Sequence, residues 1–442
     1  MTVAVSKTKA EQALTQQFEA VAGRLPGDAA IGEARKAAIG VFAALGLPHR
    51  RIEEWKYTDL RNAIKEALPP ALAGDASVGR QDIDKALEGL AGLDAYRVVF
   101  VDGRYRAELS DVVGGKGLEV DPLAAALPES EGLVATASPG QEAVIALNTA
   151  FMTDGALVRI ADGAKLAKPL LLVFACASKQ PSLVTTRNIV RVGAGASATL
   201  IEAFVTLPEA AAGQTNTLSE VMVGDRAQFT HLKVTLEGTA ATHLASWMMT
   251  LGAEASYRAF HLTASTALVR NSLFALFQGE GSKVDISGAF LGRGAEHIDT
   301  TLVVDHAVPQ CESRELFKGV LADRARGVFQ GKVIVRPDAQ KTDGKQMAQV
   351  LMLSEDAEFD SKPELEIHAD DVVCGHGSTA AEIDEDLLFY MLSRGIPAAE
   401  ARALLIESFI VDAIDKVEDE RLRAALAGIA TRRLAGLATS RS

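Results

Sequence analysis

A chain of 442 residues with a net charge of −13 carries no long basic stripe of the kind that binds phosphate backbones, which sets aside a nucleic-acid partner. Its hydrophobic content of 48% is that of a folded protein with room for several domains, yet no apolar run reaches the roughly 18 residues of a membrane span. Cys176, Cys311 and Cys374 are too few and too far apart for a disulfide framework, and the N-terminus lacks a signal-peptide core, so a reducing cytoplasmic location is expected.

In chain order, residues 7–68 read as helical. Leu14, Phe18, Val21 and Ala22 recur at helical steps, as do Ala37, Val41, Phe42 and Leu45, and Gly46-Leu47-Pro48 stops the second helix. The charged stretch Arg50–Tyr57 surrounds Trp55 and reads as an amphipathic edge with one aromatic anchor. Pro69-Pro70 and the small residues up to Gly79 suggest a linker. YRVVFVDGRYRAEL then predicts a hairpin turning at Asp102-Gly103, so residues 1–95 are set off as an N-terminal helical region and linker.

From about 155 to 382 nearly everything is short strand. Similar breaks recur as GAGA at 193, GDRA at 224, GAEA at 252 and GEGS at 279, a period of 27 to 31 residues. A repeat of that length marks a stacked architecture, because no single coil can bury its own apolar face. The strand-rich coils predict a β-helix over 96–382 with more than one strand per coil; a sandwich of antiparallel sheets would have similar strand content.

Beyond Ile383 the period turns helical, giving a third region, 383–442. Asp384 is placed to cap a helix, Gly395 to end it and Pro397 to open the next, on which Ile406, Ile410, Ala413, Ile414 and Val417 share a face. This pair is expected to pack on the last coil or to offer a partner a groove. Residues 418–436 read as a charged helix, and the tail RLAGLATSRS is expected to fray. The helical termini could cover the solenoid's ends, or an exposed end could pair with a like-folded partner.

The chemistry concentrates at Cys374-Gly375-His376. A thiolate and an imidazole two residues apart on an extended strand face one side and suit iron or zinc. They are two donors where a closed site takes four, and no second metal pair or CxxC accompanies them. A buried structural cysteine is the plainer reading of the tripeptide alone. Elsewhere, Gly327–Val333 fails the phosphate-loop pattern, so no nucleotide should bind, and no GxSxG elbow appears. His297, Asp299, Asp305 and His306 read as a polar strand face, Glu364, Glu366 and His368 as solvated, and Asp370-Asp371 as a turn. Cys176 reads as core, and Cys311 as a weak thiol candidate with no base or cation nearby to activate it.

The run from Thr300 to Ala380, which ends in KPELEIHADDVVCGHGSTA, resembles the SufB/SufD family of iron–sulfur cluster assembly scaffolds. RIEEWKYTDL at Arg51–Leu60 and LNTAFMTDGALVRIADGAKLAKPLLLVFACA at Leu147–Ala177 agree, and the EEWKYT stretch and chain length look more like SufD than SufB. The resemblance implies a right-handed parallel β-helix and a non-catalytic scaffold. It also implies a transient iron or iron–sulfur cluster shared with a SufB-like homologue, with His376 and Cys374 as this side's donors. Asp384, Leu387, Leu388, Tyr390, Leu405, Ile406 and Phe409 would lie in the segment that docks a SufC-like ABC-type ATPase. Whether the isolated chain forms a homodimer, which cluster type forms and whether a reduced flavin takes part are left open. Ser378, Ala380 and Ala381 depart from the family's usual residues, a difference that bears on the local turn geometry and leaves the ligand pair intact. The competing readings are a β-helical polysaccharide lyase or hydrolase, a SufB-type cluster-carrying subunit, and a purely structural solenoid.

Overall fold

The computed structural model describes residues 7–111, 114–115, 117–127 and 142–437. Its centre is a parallel β-solenoid of about eight turns, each turn giving one strand to each of two sheets. The first sheet holds β1 (Tyr96–Val101), β2 (Arg104–Tyr105), β6 (Leu170–Cys176), β8 (Ser197–Thr206), β10 (Gln228–Leu236), β12 (Ser256–Ser265), β14 (Lys283–Gly292), β16 (Glu312–Leu321), β18 (Asp343–Met352) and β20 (Val373–Ala381). The second holds β3 (Gly114–Gly115), β4 (Leu118–Pro122), β5 (Ala156–Ile160), β7 (Leu183–Val192), β9 (Gln214–Val223), β11 (Thr242–Leu251), β13 (Leu268–Phe277), β15 (His297–His306), β17 (Arg326–Val335) and β19 (Glu358–Ile367). The strands are parallel except at the N-terminal end, where β1 meets β2, and β3 and β5 meet β4, antiparallel. The antiparallel sandwich is thereby set aside.

The sequence breaks stack at one corner. Gly195, Arg226, Glu254 and Gly281, one from each break, all have positive φ, and Gly195 donates to Asp225 O, Arg226 to Ala253 O and Glu254 to Glu280 O. At Gly279 a Cβ would sit 1.9 Å from Ala253 N, so only glycine lets these coils approach. Phe100, Phe174 and Phe204 stack along the interior with centroids 5.0 and 4.8 Å apart.

Both sheets are also covered on their outer faces. Helices α1 (Lys9–Val21), α2 (Ala29–Leu45), α3 (Leu60–Ala63) and α4 (Arg80–Leu87) precede the solenoid, and α5 (Leu123–Ala126) and α6 (Glu142–Phe151) interrupt its first turns. Helices α1, α2 and α6 pack together over Leu183, Leu244 and Leu268 of the second sheet. The predicted stop at Gly46 is present with φ 75°. The Trp55 stretch straps this region to the sheet. Trp55 is fully buried under the Arg270 guanidinium, 3.9 Å from its ring, and Arg270 pairs with Asp299 at 2.5 Å. Glu53 reaches as far as Lys362 of β19.

After the solenoid come α7 (Glu385–Ser393), α8 (Ala398–Ile414) and α9 (Glu420–Leu437). Pro397 sits one position before the helix it opens, as its N-cap. Ile406, Ile410, Ala413, Ile414 and Val417 do share a buried face. That face meets the flank of the first sheet, α8 on β14 and β16 and α9 on β12 and β14, rather than the last coil. Among the described residues, helices therefore cover the solenoid's flanks and leave its C-terminal end open. The fraying expected of the tail falls, for residues 438–442, outside the described residues.

Candidate functional site

The open end consists of β19 and β20, which among the described residues have no strand on their outer side. Each is a full-length row of unpaired backbone groups, a template for another strand. The two edges differ in composition. EFDSKPELEI of β19 carries four acidic residues, a lysine and a proline, the usual defences of an edge, whereas VCGHGSTAA of β20 carries no charge and no proline. Val373, Ile367 and Met347 expose 62%, 41% and 36% of their surface around this rim.

Strand β20 runs unbroken to Ala381, so the departures at Ser378, Ala380 and Ala381 leave its path straight. Cys374 pairs in register with Gly344 and His376 with Gln346, which puts both donors on the lumen side of the edge strand. Cys374 is half-buried, packed near Val333, Val335, Ala339 and Ala369, and His376 is exposed. Burial pushes the Cys374 thiol up; the Gly344 N–H opposes the shift, and the Asp343 and Glu315 carboxyls add to it. A thiol must lose its proton to hold a metal, so a cation arriving at this end is what would favour the thiolate. Among the described residues no group of three or more His, Cys, Asp and Glu is poised to hold a metal ion, so the pair has no third partner of those types here.

Beneath the pair lies a polar chamber that the motif does not announce. A Cβ at Gly344 would lie 3.3 Å from Ser313 Oγ and 3.7 Å from Cys374 Sγ, so glycine leaves thiol and hydroxyl with no side chain between them. Ser313 Oγ lies 3.1 Å from His306 Nε2. Glu315 and Gln346 occupy the two rungs below His376, each 3% exposed.

Two family models match the chain. One, described as "SUF system FeS cluster assembly, SufBD core domain", covers residues 174–409; the other, "SufBD protein N-terminal region", covers 8–172. The chain belongs to the SufB/SufD family. It is 32% identical over 381 residues to the iron–sulfur cluster assembly protein SufD of Escherichia coli (strain K12), covering 86% of this chain and 87% of that one. A SufBD family protein of Synechocystis sp. is 30% identical over 407 residues, 88% of each chain, and SufD of Bacillus subtilis (strain 168) is 28% identical over 291 residues, 65% and 66%. Within the family this chain is most like SufD. No helix among the described residues is long and apolar enough to cross a membrane.

The other sequence-derived positions of this SufB/SufD chain scatter. Cys311 is fully buried, donating weakly to Gly279 O and Pro309 O, with its thiol pushed up by burial. Asp299 ties to Arg270 and Thr58, and Asp305 to Arg336, on the outer face, whereas His306 faces the lumen. Of the proposed ATPase-docking residues, Asp384 Oδ1 caps α7 by accepting from the N–H groups of Asp386 and Leu387. Leu387 and Tyr390 are exposed, at 51% and 56%, but Leu388 and Ile406 are buried at 4% in the chain's own core, and Leu405 and Phe409 are half-buried. Phe389, 72% exposed, and Leu392 and Leu404, at 40% and 43%, are further exposed apolar side chains of α7 and α8 that the sequence reading missed. Also missed is a polar lumen in the middle coils. Glu202 accepts from Ser219, Asn188 and Trp247, His231 stacks on Trp247 at 3.6 Å, and burial lowers Lys233 to about 7.

Proposed function

We propose that this chain is a non-catalytic scaffold subunit of a SUF assembly complex. Its open end receives a SufB-like partner along β20, and iron or a nascent cluster, the cargo, is held across that contact. His376 and Cys374 supply this side's donors and the partner supplies the rest. The apolar face made by Leu387, Phe389 and Tyr390 on α7, with Leu404 on α8, is where a SufC-like ATPase docks, so nucleotide energy enters from outside this chain. The observation that carries the reading is an uncharged, unprotected edge strand bearing a thiol and an imidazole at the solenoid's open end. Family membership favours it over the glycan-active alternative, and likeness to SufD favours it over a SufB-type role. A cytoplasmic setting fits the free thiols.

The test is His376→Ala in a complex reconstituted with a SufB-like subunit and its ATPase. The expected result is an intact complex that no longer matures clusters. Normal maturation by that complex would remove His376 from the mechanism.

A further inference from the structure

Inward from the open end, one lumen column of the first sheet runs Ser378, Ala348, Phe317, Gly288, His261, Lys233. Adjacent rungs lie about 4.8 Å apart. Ser378 is exposed and Ala348 is small, so Phe317 is the first large side chain that anything descending this column meets. Below it Gly288 leaves a gap, and the Phe317 ring leans into that gap: a Cβ on Gly288 would sit 2.6 Å from Phe317 Cε1. Phe329 of the second sheet backs the ring, with centroids 5.2 Å apart. Val284, Ile286 and Phe290 shut the neighbouring columns on the same strand, β14, and Phe290 fills the space that a side chain at Gly319 would take. The lumen positions of β14 therefore carry no polar side chain.

Behind this apolar layer the lumen turns polar again. Lys233 Nζ donates to Asn271 Oδ1 at 2.6 Å, and Glu202 stands on the next rung. His261 is 4% exposed, and neither of its ring nitrogens has a hydrogen-bond partner. Imidazole and carboxylate are donors that suit iron, so groups able to compete for it stand just inward of the ring. We propose that Phe317, backed by Phe329, is a barrier that closes the lumen inward of Cys374 and His376, so that cargo enters and leaves this chain only through the open end. The identity of the cargo rests on the scaffold reading above; the closure does not.

The test places a thiol behind the barrier. His261→Cys is made in the full chain, alone and combined with Phe317→Ala or Phe317→Leu. Each protein is exposed to methylmercury, a small soft cation that replaces a thiol proton and is counted by intact mass against the unsubstituted chain. Cys374, half-buried at the mouth, reports access from the open end, and Cys311, fully buried, reports unfolding. With Phe317 in place, the thiol at position 261 is expected to react about a hundredfold more slowly than Cys374. Phe317→Ala is expected to raise that rate about tenfold or more while Cys311 stays unreactive, and Phe317→Leu, which keeps more of the apolar volume, to raise it less. If Phe317→Ala exposes Cys311, the comparison is decided on Phe317→Leu. A thiol at 261 that reacts as fast as Cys374 behind an intact Phe317, or a rate that opening the ring position leaves unchanged, overturns the proposal. None of these results bears on cluster maturation by the His376→Ala complex, so the barrier and the scaffold reading fail separately.

Discussion

The two ends of the solenoid are built on opposite principles. At the N-terminal end the sheets finish in two-residue strands, β2 and β3, each turned back antiparallel, so little edge remains to recruit another chain. At the C-terminal end both sheets stop at full length, and the first sheet stops on β20, which has no defence at all. A protein that needed only to be stable would blunt both ends. Keeping one open carries an aggregation risk, which the partner proposed for that end would remove.

The largest test of this contrast compares the same substitution inside the stack and at its mouth. Gly279→Ala forces a Cβ to 1.9 Å from a backbone nitrogen, and backbone cannot step aside as a side chain can. A loss of about 4 kcal/mol or more is expected in denaturant unfolding. Gly375→Ala on β20 meets nothing within 4 Å and should change stability by less than about 1 kcal/mol. Equal effects would mean that the terminal coil is as closed as the interior.

The next effect is a pH dependence just below that mouth. The Glu315 carboxyl is raised from the usual 4.5 to about 8. Between those values the native chain keeps a proton that the unfolded chain has released, so stability falls as pH rises through this window and levels off above it. The expected loss is about 2–3 kcal/mol, because local relaxation and water entry discount the full shift. Glu315→Gln should remove this slope, which unfolding of both proteins at about pH 5 and about pH 9 would reveal. A smaller effect is expected from a charge on the edge itself. Thr379→Lys on β20 should weaken association with a SufB-like subunit about tenfold, or about 1.4 kcal/mol. Ala107→Lys, beside β2 at the blunt end, should leave that association unchanged.

Much of this was legible in the sequence because it depended on local rules. The breaks at 193, 224, 252 and 279 named the corner, because a stacked turn needs the same backbone at every level. Asp384 and Gly395 marked the limits of α7 for the same reason. What stayed hidden depended on which face of a strand is covered. In QFTHLKVTL the lumen receives His231 and Lys233 while Leu232 and Val234 face outward, an inverted pattern that makes sense only once α8 and α9 bury the outer face. The family resemblance placed Leu388 and Ile406 in the docking segment, and a resemblance does not say which apolar positions of a helix its own chain consumes. Glu315 escaped notice because its partner rung is 31 positions away, on β18.

The smallest expected effect on the fold concerns that apolar surface. Leu387 and Tyr390 are more than half exposed, and neither belongs to the core cluster that holds Ile406 and Ile410. The double substitution Leu387→Ser and Tyr390→Ser should therefore change stability by no more than about 0.5 kcal/mol. If α7 is where an ATPase docks, the same variant should lose co-elution with it, because exposed aromatic and aliphatic anchors carry most of the energy of such contacts. Association at β20 should be untouched, since α7 lies beyond the edge strand rather than on it. A variant that unfolds would show that these side chains serve the fold. One that still binds the ATPase would move the docking surface elsewhere and leave the open end as this chain's sole point of assembly.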